Sequence, residues 1–251
     1  ITTRLVGSEM CIRDSSSSVQ FLILGFCMGI CQGFAIMVSQ SFDAKRLDEM
    51  HTYIYAGAVW TAITAFVVSI LVVVFCADIL HILQVNDEIF KDAYAYLVVI
   101  FAGIPFTLLY NYLSAILRAI GDSKTPFLFL AFSAVLNIGL DFFCILVLKW
   151  GCAGAAIATI FAQAVSGILC LLLIAFKVNV LHIPKSSRYV DKNHSIKLLA
   201  MGVPMGLQFS ITAIGSMVMQ SANNALGTIY VSGFTAVSYT HLRAHETRSN
   251  L

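Results

Sequence analysis

"LNIGLDFFCILVLKWGCAGAAIATIFAQ", residues 136–163, decides the fold. Two apolar runs are separated only by Lys149, Trp150 and Gly151, the composition of a helical hairpin that crosses a bilayer twice. Inside the first run stand Asn137 and Asp141, four residues apart, so on a helix they share one face. Asp141 is the only carboxylate between Asp122 and Asp191. An ionised aspartate at the centre of a spanning helix costs about 2.5–3.5 kcal/mol on insertion scales, which makes such a residue a functional candidate by default. Asp141 lies nine residues before Trp150 and Thr159 nine after it. At ~1.5 Å per residue both fall near the middle of a core ~30 Å thick. An antiparallel pair is therefore expected to bring Asn137, Asp141 and Thr159 to similar depth. A carboxylate, an amide carbonyl and a hydroxyl are hard oxygen donors, suited to a small cation or, at the carboxylate, to a proton. The competing reading is polar glue that only fixes helix packing. Gln163, one turn beyond Thr159, is a candidate for lining the same cavity.

The rest of the chain agrees with a membrane setting. It is 59% hydrophobic and 11% charged, against roughly 45–50% and about 25% in soluble domains. The expected fold class is an all-α polytopic membrane protein. Spans are expected over 17–41, 52–76, 93–117, 127–148, 152–176 and 196–222, with a seventh starting near Thr228. The sixth holds Pro204 and Gly206, which membrane helices tolerate. No strand alternation competes. A net charge of only +2 argues against nucleic-acid binding. There is no Walker A loop, dinucleotide fingerprint or Gly-x-Ser-x-Gly elbow, so ATP-driven transport and common enzyme chemistry lose support. An intramembrane enzyme would need a second catalytic partner at the depth of Asp141. His51, His81, His182 and His194 all fall near span ends or in loops.

Other features have bland readings. Cys27, Cys31, Cys76, Cys144, Cys152 and Cys170 lie in or beside apolar spans and read as packing residues. Gly25, Gly29 and Gly33 recur every four residues, a close-packing stripe between helices. Gln32 and Gln40 are candidates for lining a path, on weaker grounds. Gly121 and Pro126 in "LRAIGDSKTP" (117–126) bracket a turn that orients two helices.

Basic residues set the orientation. Loops after the first, third and fifth spans carry Lys45, Arg46, Arg118, Lys124, Lys177, Lys185, Arg188, Lys192 and Lys197, and the opposite side has only Lys91 and Lys149. The first set is expected to be cytoplasmic. The longest and most basic connection, 178–195, reads as a cytoplasmic linker between two bundles, with anionic lipid contact a lesser possibility.

Both ends differ from the middle. A reverse-complement reading of codons for "LVGSEMCIRD" (5–14) encodes "VSYTHLRAHE" (237–246). That complementarity resembles a sequencing-library adapter translated at both ends. Residues 1–15 and 236–251 are expected to be non-native, leaving about 16–235 as part of a longer gene. Cys11, His241, Arg243, His245 and Glu246 therefore belong to no site.

Several stretches together resemble the bacterial branch of the multidrug and toxic compound extrusion (MATE) family. They are "GICQGFAIMVSQSFDAKR" (29–46), "FAGIPFTLLYNYLSAILRAIGDSKTP" (101–126), the opening hairpin, and "LLAMGVPMGLQFS" (198–210). The resemblance implies twelve helices in two six-helix lobes. Residues 16–177 are then similar to helices two to six of the amino lobe, 178–195 to the inter-lobe linker, and 196–235 to helix seven and the start of eight. The family's amino-lobe cation site uses an Asp on helix one, an Asn and Asp four apart on helix five, and a Thr on helix six. Asn137, Asp141 and Thr159 match the last three, and the helix-one acid would lie upstream. Asp43 departs from the family's usual Gly in that loop. The implied activity is Na⁺- or H⁺-coupled antiport of organic, often cationic, drugs or toxic compounds by alternating access, with no cofactor beyond the coupling ion. The implied setting is the plasma membrane, with the bilayer and small organic substrates as partners and a monomer at full length. Without a second lobe, the chain as given is not expected to complete alternating access. Two alternatives remain: a lipid-linked oligosaccharide flippase of the related superfold, which predicts an Arg-rich cavity that these helices lack, and a non-transporting membrane scaffold.

Overall fold

The computed structural model describes residues 2–82, 87–148, 150–184 and 187–226. Among them no strand occurs, and eight α-helices follow one another. These are α1 (Thr2–Asp43), α2 (Leu47–Val74), α3 (Cys76–Ile82), α4 (Asp87–Ala102), α5 (Ile104–Ala119), α6 (Lys124–Phe142), α7 (Gly151–Lys177) and α8 (Lys192–Leu226). Five helices are long and apolar enough to cross a membrane, and the pair α4–α5 makes a sixth when counted as one broken span. These six correspond to the six complete spans expected from sequence; the seventh, near Thr228, lies outside the described residues, as does 236–251. The backbone of α1 is helical from Thr2, so the helix continues through residues 2–15. Once a helix is nucleated, each added residue costs little, and this stretch contains no proline. The chain divides into two compact units, Ile1–Ser210 and Ile211–Leu251.

The third expected span, 93–117, is not one straight helix. It breaks at Gly103 with a 45° bend between α4 and α5. Pro105 has no N–H to offer the carbonyl of Phe101 one turn back. Ser69 of α2 supplies the missing donor, its hydroxyl lying 2.7 Å from the Phe101 carbonyl oxygen. Gly103 itself lies against Ile160 of α7, where an added Cβ would come within 2.1 Å of Ile160 Cδ1. The break therefore seats α7 against the bend.

Beyond the bend, α5 is the buried axis of the first unit, and α1, α2 and α7 pack on it. Tyr112 through Leu117 are all buried. The Tyr112 hydroxyl donates to the carbonyl of Ile54 at 2.7 Å, and the Tyr110 hydroxyl to that of Pro126 at 3.0 Å. Helix α5 ends where Gly121 takes a φ of +91°, and the Asp122 N–H turns back to the Leu117 carbonyl at 3.0 Å. This is the left-handed helix stop that glycine accepts without a Cβ clash. The expected glycine stripe on α1 also has a partner. A Cβ on Gly29 would sit 2.7 Å from Gly206 Cα, and one on Gly33 2.6 Å from Gly202 Cα, so α1 and α8 meet backbone to backbone.

Candidate functional site

Helices α6 and α7 form the expected hairpin. Between them, Phe143–Val147 winds as a π-helical turn that starts two residues after Asp141. The Leu148 N–H bonds the Phe143 carbonyl, five residues back, and the Trp150 N–H bonds the Cys144 carbonyl, both at 3.2 Å. Gly154 lets α7 lie close to this turn: a Cβ there would be 3.0 Å from the Trp150 Cβ and 3.1 Å from the Cys144 Cβ.

Across the hairpin, the Asn137 amide Nδ2 donates to Thr159 Oγ1 at 3.2 Å. The Thr159 hydroxyl donates in turn to the carbonyl of Ala155 on its own helix at 3.0 Å. Thr159 thus uses its one proton within α7 and keeps one lone pair free of these two bonds. Because Asn137 meets Thr159, Asp141 is level with Ala155, one turn nearer the connection. The expectation of a shared depth is thereby refined: Asn137 and Thr159 are opposite each other, and Asp141 sits below them on the face of Asn137. Asp141 is half-buried, with its Oδ1 shielded from solvent.

Gln163 lies one turn beyond Thr159 and is half-buried. The Thr107 hydroxyl of α5 donates to Gln163 Oε1, and the Asn111 amide donates to the Thr107 carbonyl at 2.8 Å. Two polar steps therefore follow one another along α7, Thr159 toward α6 and Gln163 toward α5. Thr107 and Asn111 were not singled out from sequence. Their signal was available: two polar residues four apart in an apolar span, the spacing of Asn137 and Asp141. Gln32 is half-buried on α1, which packs mainly on α2, α4 and α5 rather than on the hairpin. Among the described residues no group of three or more His, Cys, Asp and Glu gathers. The donor set at the hairpin is thus one carboxylate, amides and hydroxyls. Cys27, Cys31, Cys76, Cys144 and Cys170 are buried free thiols, in keeping with packing roles.

A bundle of bilayer-length helices with a carboxylate, amides and hydroxyls on one of its hairpins defines a multi-pass helical membrane protein. The chain belongs to the MatE family, whose model matches residues 12–143. That family is one of transporters, not enzymes. The probable multidrug resistance protein YpnP of Bacillus subtilis is 33% identical over 225 residues, 88% of this chain and 49% of its own length. The multidrug export protein MepA of Staphylococcus saprophyticus is 24% identical over 226 residues, covering 88% of this chain and 50% of the relative. The chain spans about half the length of the curated relatives it matches. The fold is similar to the matching half of a MOP-superfamily transporter from Pyrococcus furiosus, with a TM-score of 0.85 at 19% identity, covering 96% of this chain and 54% of that one. An inward-facing and an outward-facing multidrug resistance MATE transporter align with TM-scores of 0.77 and 0.82, at 20% and 18% identity. The first alignment covers 82% of this chain and 47% of the transporter, the second 96% and 56%.

Proposed function

We propose that this chain is the larger part of the amino lobe of a cation-coupled exporter of organic, often cationic, compounds. In this reading 178–195 is the inter-lobe linker and 196–235 the start of the carboxy lobe. The protein sits in the plasma membrane with its basic loops cytoplasmic, and 1–15 and 236–251 lie outside the native chain. The observation that carries the reading is the Asn137–Thr159 bond across the hairpin, one turn from Asp141. It assembles an amide and a hydroxyl beside a carboxylate that an apolar span would otherwise disfavour.

Either Na⁺ or H⁺ can serve as the coupling ion. A proton neutralises Asp141 directly; a sodium ion would take its carboxylate oxygen, the Asn137 amide oxygen and the free lone pair of Thr159. Coupling requires that the ion bind one access state more tightly than the other, since only differential affinity shifts the balance. The π-turn is placed to serve this, because it lets the segment beside Asp141 change its hydrogen-bond register without breaking the helix.

The test is Asp141→Asn in the full-length gene, assayed by substrate efflux from energised cells with expression matched to wild type. Efflux is expected to fall to background. Wild-type efflux from the variant would overturn the proposal.

A further inference from the structure

A second site is distinct from the polar residues of the hairpin: none of Asn137, Asp141, Thr159 and Gln163 lines it, although α7 contributes to both. It is a cavity of about 670 Å³ between α2, α5 and α7, closed at one end by residues of the α7–α8 connection. That volume falls within the roughly 300–1,000 Å³ typical of small-ligand sites. Its walls are apolar: Ile54, Leu109, Leu113, Ile116 and Ile174 are among them. Ala58 and Ala62, one turn apart on α2, leave the room. The rim is apolar and outward-facing, with Phe66, Phe106 and Leu171 all exposed, so the cavity opens sideways. The α2 wall from Ile54 to Phe66 spans twelve helical steps, ~18 Å at the helical rise. One leaflet's hydrocarbon is about half of the ~30 Å core, so the groove has the length of one lipid chain.

The closed end is polar and positive. His182 and Arg188 line it, and both are exposed. The His182 imidazole Nε2 is bonded to the Ala175 carbonyl at 2.7 Å. Arg188 uses its Nε on the carbonyl of Ile183 at 3.2 Å, which orients the guanidinium. Among the described residues Arg188 makes no ion pair, and its two terminal nitrogens have no carboxylate to meet. The His51 imidazole Nε2, on the first turns of α2, holds the same connection through the Val180 carbonyl at 2.8 Å. An apolar slot one leaflet long, open to the side and ending at an oriented arginine, is complementary to a chain with an anionic head.

We propose that this groove binds one anionic phospholipid of the surrounding bilayer, with an acyl chain against Ala58 and Ala62 and the phosphate on the terminal nitrogens of Arg188. The lipid joins the α7–α8 connection to α2 and α5 on the membrane surface. Arginine suits this task because its planar fork meets two phosphate oxygens at once.

The experiment is native mass spectrometry of the full-length protein in neutral detergent, titrated with 1-palmitoyl-2-oleoyl phosphatidylglycerol or phosphatidylcholine. Phosphatidylglycerol is expected to be retained about fivefold better, the scale of one basic residue acting on an anionic lipid. Arg188→Gln should abolish that preference, and Ala62→Phe, which fills the slot, should reduce retention of both lipids. Lys91→Gln, on the other side of the membrane in the expected topology, should change neither. Equal retention of the two lipids would overturn the proposal, as would a preference that survives both Arg188→Gln and Ala62→Phe. Competition by glycerol 3-phosphate alone would overturn the acyl-chain part by making the site one for free phosphate. Displacement of the lipid by tetraphenylphosphonium in both wild type and Arg188→Gln would assign the groove to a cationic compound instead. Ala62 is exposed and so tolerates a larger side chain, and Ala58→Leu tests the same wall independently.

Discussion

Helices α5 and α6 are close in length and both are rich in Leu, Ile, Phe and Ala, yet they do opposite things. Ten of the sixteen residues of α5 are buried, against two of the nineteen in α6. Helix α5 is the axis on which the others pack, so its side chains are specified by their neighbours. Helix α6 presents Phe127, Leu128, Val135, Ile138 and Phe142 outward and keeps its polar pair, Asn137 and Asp141, half-buried. Hydropathy alone cannot distinguish them, because lipid is as apolar as a protein core. The difference teaches where substitution should be felt as stability and where as function.

The largest contrast should come from truncating matched leucines. Leu108→Ala on α5 leaves a cavity at a fully buried position, and an unfolding titration in detergent should show a loss of about 2–3 kcal/mol. Leu128→Ala on α6, where the side chain is 66% exposed, should stay within about 0.5 kcal/mol of wild type. Equal losses would erase the distinction between the two helices.

Next is the proline break. Ser69→Ala removes the donor to the Phe101 carbonyl, and the orphaned acceptor should cost about 1–2 kcal/mol. Pro105→Ala restores an N–H one turn on, so the double variant should lose less than the sum of the singles. Additivity in that cycle would mean that the serine does not answer the missing proline N–H.

The hairpin bond sharpens the comparison further. Asn137→Leu or Thr159→Val should cost only about 0.6 kcal/mol of stability, the average for interhelical hydrogen bonds in membranes. Efflux by the full-length protein should nevertheless fall steeply in both. Intact transport with lowered stability would return these residues to the role of packing glue.

The smallest effect is at the α5–α6 turn. The carboxylate of Asp122 accepts from the Thr125 side chain and from the Thr125 backbone N–H at 3.1 Å, and these bonds hold its pKa below the ordinary carboxylate value. A carboxyl depressed in the folded state adds stability above its unfolded pKa, near 3.9, and that contribution is lost as pH falls through the lower folded value. Asp122→Asn should cost about 0.5 kcal/mol at neutral pH, because the turn is exposed, and nothing at a pH below the folded value. A loss that persists in acid would show that the charge is not responsible.

Much of this was legible in the residues. Six bilayer-length segments, the hairpin around Trp150 and the helix stop at Gly121 follow from apolar run length and from glycine's tolerance of positive φ. Counting to the turn brought Asn137, Asp141 and Thr159 to one region of the hairpin, but set Asp141 rather than Asn137 level with Thr159. The bend at Gly103 is not legible from Pro105 alone, because a membrane helix can carry proline with or without a break. The role of Thr107 is not legible locally, because its partner, Gln163, comes from a helix more than fifty residues away, and Asn111 joins the pair only through the Thr107 carbonyl.

The sequence by itself determined the class of the protein, since apolar length and the absence of strand periodicity leave only helices able to satisfy their own backbone in lipid. It also marked Asp141, because an intramembrane carboxylate is costly wherever it lies. Only the tertiary structure decided which apolar helix is central, which polar residues meet, and that Asp141 sits one turn below Thr159 rather than opposite it. The reason is physical. Hydropathy records the transfer of each residue into an apolar medium, whereas packing depends on which faces of different helices come within hydrogen-bond reach.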